Sequence, residues 1–102
     1  MEIIKCLSEL IDEEISDSNK YIDLAMRYKE EEPDTADLFY NLSVEELNHM
    51  SKLHEEVTQL IDEYRKENGE PPKDMMTLYN YLHQKHIGLA TQIKVKQGMY
   101  KA

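Results

Sequence analysis

Apolar residues recur along this chain in steps of three and four, the period of an amphipathic helix, and the rhythm is interrupted twice. From about Glu2 to Glu30 the stripe is Ile4, Leu7, Ile11, Ser18, Tyr21, Ala25 and Tyr28, and Glu14 fills the one missing beat. The stretch "EEEPDTAD" then breaks the pattern. Pro33 lacks the amide hydrogen a helix interior needs, and Asp34 has the side chain of an N-cap, with Asp37 three residues on. A second helix is expected from about Thr35 to Asn68, with Phe39, Leu42, Leu53, Leu60 and Tyr64 on its stripe and Ala36, Leu38, Val57 and Ile61 widening it. "NGEPP" stops it, because Asn68-Gly69 suits a helix C-cap and two prolines block continuation. A third helix is expected from an N-cap at Asp74 to about Gly98, on a stripe of Met75, Leu78, Leu82, Leu89 and Ile93.

The predicted fold is all-α. A long antiparallel two-helix hairpin occupies residues 1–68, a linker and C-terminal helix occupy 69–102, and together they make one domain. Each hairpin helix has about 30 residues and so is about 45 Å long. Two helices cannot enclose a core, and a chain this short buries a limited share of its surface. The stripe therefore calls for a partner, and a second copy completes a four-helix bundle. The C-terminal helix is the candidate element for assembly beyond that homodimer.

The segment "VEELNHM" departs from this pattern of apolar stripes. Glu46 and His49 continue the three-four rhythm of the second helix where leucines belong, and Glu14 does the same on the first. A buried carboxylate without a partner is strongly disfavoured, so water, a shared proton or a metal ion must satisfy these groups. Carboxylate oxygen and imidazole nitrogen together suit a divalent or trivalent cation. Dimerisation would double the set to that of a di-iron carboxylate bundle, one Glu from each of two helices and Glu-x-x-His from each of the other two. Counted from Pro33, Glu14 lies 19 residues back whereas Glu46 and His49 lie 13 and 16 forward. That spacing predicts an offset of about one helical turn between the ligand levels.

Charge and cysteine content narrow the function classes. Residues 71–102 hold five Lys and one Asp, a net of +4, and the other 70 residues hold seven Lys and Arg against 20 Asp and Glu, a net of −13. An acidic body excludes a nucleic-acid surface and fits a protein that attracts cations. The single Cys6 excludes a disulfide framework and a thiolate zinc finger, and is read as a half-buried apolar residue. No apolar run is long enough to cross a bilayer, and the amphipathic start "MEIIKCLSEL" is unlike a signal peptide, so a soluble cytoplasmic protein is expected.

In "EEISDSNKY" and "SVEELNHM" the chain resembles half of a ferritin-like di-iron protein, especially the short encapsulated-ferritin type, over residues 1 to about 65. The resemblance implies that Glu14 is the first-helix metal ligand, Glu46 the bridging carboxylate, His49 the terminal ligand and Tyr21 a tyrosine beside the metals. It implies ferroxidase activity, Fe(II) oxidised to Fe(III) at a di-iron centre across a homodimer interface, for iron storage or detoxification. Mn or Zn are possible substitutes for Fe. It also implies a higher homo-oligomer or an enclosing protein shell. Glu13 and Asp17 beside Glu14 are candidates for a metal entry path, against the plainer reading of a solvated acidic face. His83 and His86 are three apart on the third helix and could hold a transition metal, but they lack a neighbouring carboxylate in sequence, which favours ordinary surface or interface histidines; His54 is read as partly exposed. The competing function is a metal-independent helical adaptor in which Glu14, Glu46 and His49 form a polar cluster that sets register.

Overall fold

A computed structural model describes residues 2–102. It contains three helices, α1 (Glu2–Tyr28), α2 (Pro33–Asn68) and α3 (Lys73–Lys101), in a rod with extents of 56 × 19 × 17 Å. Pro33 opens α2 instead of closing α1, because the missing N–H costs nothing at the first helical position. Glu32, not Asp34, holds the cap position; it makes no side-chain cap bond, and its carbonyl accepts from Ala36 N–H at 2.8 Å. Asp34 lies in the first turn, where its charge complements the helix dipole. The C-cap is where the sequence places it: Gly69 adopts φ 81°, a conformation that side chains disfavour, and its N–H donates to Arg65 O at 3.0 Å. α3 starts after Pro72, one residue before the expected Asp74 cap, and continues past Gly98 to Lys101.

Helices α1 and α2 pack antiparallel along their length. Contacts step in opposite directions along the two helices, from Ser18–Ser43 to Tyr21 stacked on Phe39 with ring centroids 6.3 Å apart. At the Ser18–Ser43 crossing both side chains are fully buried. Ser18 Oγ donates to Ser43 O at 2.7 Å, Ser43 Oγ donates to Ser18 O at 2.8 Å, and the two hydroxyls are 3.0 Å apart. Gln97 Nε2 of α3 also donates to Ser43 Oγ at 3.0 Å.

The buried seam keeps Ile4, Ile11, Ser18 and Ala25 of the expected α1 stripe and Ala36, Val57 and Ile61 of the expected α2 set, and adds Ile15, Ile22, Ser43 and Leu47. On α1 it comprises Ile4, Ile11, Ile15, Ser18, Ile22 and Ala25, while Leu7, Tyr21 and Tyr28 are only half-buried. On α2 it comprises Ala36, Ser43, Leu47, Val57 and Ile61, and the expected Phe39, Leu42, Leu53, Leu60 and Tyr64 are half-buried. Leu38 is 55% exposed. At the Ser18–Ser43 level the facing side chains are small, and the backbones approach closely enough for each hydroxyl to reach the other helix's carbonyl. Cys6 is exposed, contrary to the half-buried position expected for it.

Helix α3 docks chiefly along α1, and it docks through polar groups. His86 Nε2 meets Asp12 Oδ1 at 2.5 Å, Lys96 donates to Asn19 at 2.9 Å and Asp23 at 2.8 Å, and Tyr100 OH donates to Asp37 at 2.5 Å. That Asp37 contact, and then burial, push the Tyr100 phenol up to about 12. The buried residues of α3 are His86, Ala90, Ile93 and Tyr100; of the expected stripe only Ile93 is buried, and Leu78 is 60% exposed.

These partners place α3 on one side of the hairpin. The other side carries Ile3, Leu7, Leu10, Glu14, Asp17, Tyr21 and Leu24 in heptad spacing on α1, and Phe39, Leu42, Glu46, His49, Leu53, Leu60 and Tyr64 on α2. Among the described residues no element packs on it, and Ile3 is 51% exposed. No helix is long and apolar enough to cross a membrane among the described residues.

The buried serine pair generates a stability prediction. Ser43→Ala deletes two hydrogen bonds and leaves the Gln97 amide without its acceptor, so unfolding by urea should show a loss of about 1–3 kcal/mol.

Candidate metal centre

Glu14 comes from the middle of α1, and Glu46 and His49 from adjacent turns of α2. One donor atom from each lies within 4.8 Å of the others, the one group of this kind among the described residues. His49 Nδ1 is 3.4 Å from Glu14 Oε2 and 3.9 Å from Glu46 Oε1. The carboxylates are sheltered, with side chains 24% and 19% exposed, whereas the imidazole is 53% exposed and forms the outer edge of the cluster. The one-turn offset expected from Pro33 is absent. The chain reverses ahead of Pro33, between Tyr28 and Glu32, so Glu14 and Glu46 stand level.

Electrostatically the cluster is unfinished. Glu14 Oε2 is buried with no hydrogen-bond partner, and the His49 contact is an ion-pair approach and not a bond. An acceptor buried in this way costs about 1–3 kcal/mol, a cost that a hydrogen-bond donor or a cation at this position would relieve. The Glu46 carboxyl is pushed from 4.5 up to about 7. The largest cause is its hydrogen bond with Glu14, followed by burial and by the Glu14 charge; His49 pulls the other way, and Asp17 adds a small push upward. Two sheltered carboxyls competing for one proton respond in this manner. Two oxygens and an imidazole nitrogen are a donor set for a divalent transition ion, and all three groups face the side of the hairpin that α3 leaves uncovered.

The other sequence candidates fall in different places. Tyr21 lies on the same uncovered side two turns beyond Glu14, packed on Phe39. Glu13 is exposed and outside the cluster, whereas Asp17 is exposed and close enough to act on Glu46. His83 and His86 lie across the hairpin. His83 stacks on His54 with centroids 4.3 Å apart, and the His86 side chain is 7% exposed against Asp12. Ser18 falls on the expected α1 stripe without a role of its own, and Ser43 falls on neither expected stripe. Their signal was a hydroxyl at the same seam level on both helices. The Asp12–His86 pair left no local signal, because its members are 74 residues apart.

Fold and cluster together define a three-helix protein with a carboxylate–histidine candidate metal centre on an uncovered helical face. No protein-family model, no curated protein and no solved structure matches the chain.

The raised Glu46 carboxyl makes metal-free stability pH-dependent. A carboxyl whose folded pKa lies above its unfolded value contributes stability at low pH, and that contribution is lost as pH rises through about 7. Glu46→Gln keeps a permanent donor toward Glu14, so in thermal melts it should exceed wild type at about pH 8 and converge with it near pH 5.

Proposed function

We propose that this chain is one half of a ferritin-like ferroxidase, in which two copies join through their uncovered faces and enclose two iron ions as substrate. The observation that carries this reading is the buried, partnerless Glu14 oxygen facing Glu46 and His49. Three donors leave a metal ion under-coordinated, and a symmetry-related copy would supply the rest: four Glu and two His for two ions. The same face supports the pairing, since Leu7, Leu10, Leu42 and Leu53 flank the cluster and would be buried in a four-helix bundle.

In this reading each Fe(II) gives one electron. Two electrons and two protons convert dioxygen to hydrogen peroxide, or hydrogen peroxide to two waters, and leave two Fe(III). Glu14, Glu46 and His49 of each copy would hold the two irons, and Tyr21 lines the same face. Asp17, whose field already reaches Glu46, draws Fe(II) inward, with Glu13 further out. Storage or detoxification follows from removing reactive Fe(II), in the cytoplasm or within a protein shell. The register-setting adaptor is the weaker alternative, because Ser18 and Ser43 already fix the register one turn away.

Anaerobic Fe(II) loading with solution mass measurement is the test. Wild type should be a dimer with about one iron per chain, and Glu46→Ala should bind none. Leu10→Glu, which charges the uncovered face without touching a ligand, should yield monomers that have lost the paired site. A wild-type oligomer that ignores iron would overturn the reading.

A further inference from the structure

On the covered side of the hairpin, α2 and α3 enclose a groove of about 460 Å³ whose walls include His54, Glu55, His83, His86 and Lys94. His54 of α2 and His83 of α3 lie face to face, centroids 4.3 Å apart and planes within 8°, and Tyr79 extends the stack at 5.9 Å from His83. Parallel ring planes at this separation do not aim their nitrogens at a shared point, so the pair is arranged for stacking and not for holding one metal ion. We propose that the His54–His83 stack is an acid-sensitive latch that holds the N-terminal half of α3 against α2.

The stack tolerates two neutral rings, or one neutral and one charged ring, but not two cations in van der Waals contact. The surrounding charges do little to relieve that repulsion. On α2, Glu55 is exposed at the groove edge and its charge, the smallest of the effects on His54, favours the protonated ring; on α3, Lys94 adds positive charge; and Asp12 of α1 is occupied by His86. Burial first, then His83 and His86, hold the His54 ring below its ordinary value near 6.5. A base lowered in this way takes up its proton more readily unfolded than folded, so the contact is stable above the ordinary value and lost as pH falls through the lower one.

Opening is confined to one end of α3. The far end is held at the hairpin turn by Tyr100 on Asp37, by Lys29 Nζ donating to Tyr100 O at 2.6 Å, and by the Tyr40–Tyr100 stack at 5.2 Å. In the middle, the contact of His86 with Asp12 holds α3 on α1. Acid therefore loosens the first half of α3 from α2 while α1 retains the helix.

Amide hydrogen exchange on the full chain, corrected for intrinsic rates, tests the latch at about pH 7.5 and about pH 5. The opening equilibrium over 76–84 should rise at least about tenfold at the lower pH, with little change over 94–100. His83→Phe and His54→Phe each keep a stacked ring that cannot charge, and both should abolish the rise. Unchanged wild-type protection, equal loss at both ends of α3, or an undiminished rise in both Phe variants would each overturn the proposal.

Discussion

Two buried serines fix the geometry on which the rest of this molecule depends. Each hydroxyl of Ser18 and Ser43 donates to the other helix's backbone carbonyl, an exchange possible at only one relative setting of α1 and α2. Sliding by one residue would bury a polar group without its partner, and a larger side chain at either position would separate the backbones. Glu14 lies four residues from Ser18, and Glu46 three from Ser43, so the clamp also brings the carboxylates level. The upward push of Glu14 on the Glu46 carboxyl follows from that register.

The hairpin has two sides with different physics. On one, α3 is held by matched charges and hydrogen bonds from Asp12, Asp23, Asp37 and Asn19, and few large apolar side chains are buried. On the other, leucines and aromatics surround three polar groups, and one carboxylate oxygen among them, Glu14 Oε2, has no hydrogen-bond partner. The charge division of the sequence has a local counterpart here: the lysine-bearing helix lies along acidic positions of α1.

The three helices and both breaks were legible in the sequence, because proline, glycine and the helical period act locally. The grouping of Glu14, Glu46 and His49 was also legible, since polar residues on an apolar stripe stand out. The phase of the stripe was legible only in part. Each hairpin helix carries two adjoining apolar strips: Ile4, Ile11, Ser18, Ala25, Ala36, Val57 and Ile61 of the expected positions line the seam, while Leu7, Tyr21, Phe39, Leu42 and Leu53 lie on the flank. The bulky flank residues drew the expected stripe partly off the true contact. The third stripe failed for a different reason: α3 buries His86 and Tyr100 through pairings with distant residues, which no periodicity of apolar positions encodes.

The reversal between Tyr28 and Pro33 also shapes how the protein assembles in time. The turn is short, and the three donor residues span only positions 14 to 49, so they are joined by local contacts of low closure entropy. Contacts of short sequence separation favour fast folding. The hairpin that carries Glu14, Glu46 and His49 is complete in sequence before any residue of α3 has been synthesised.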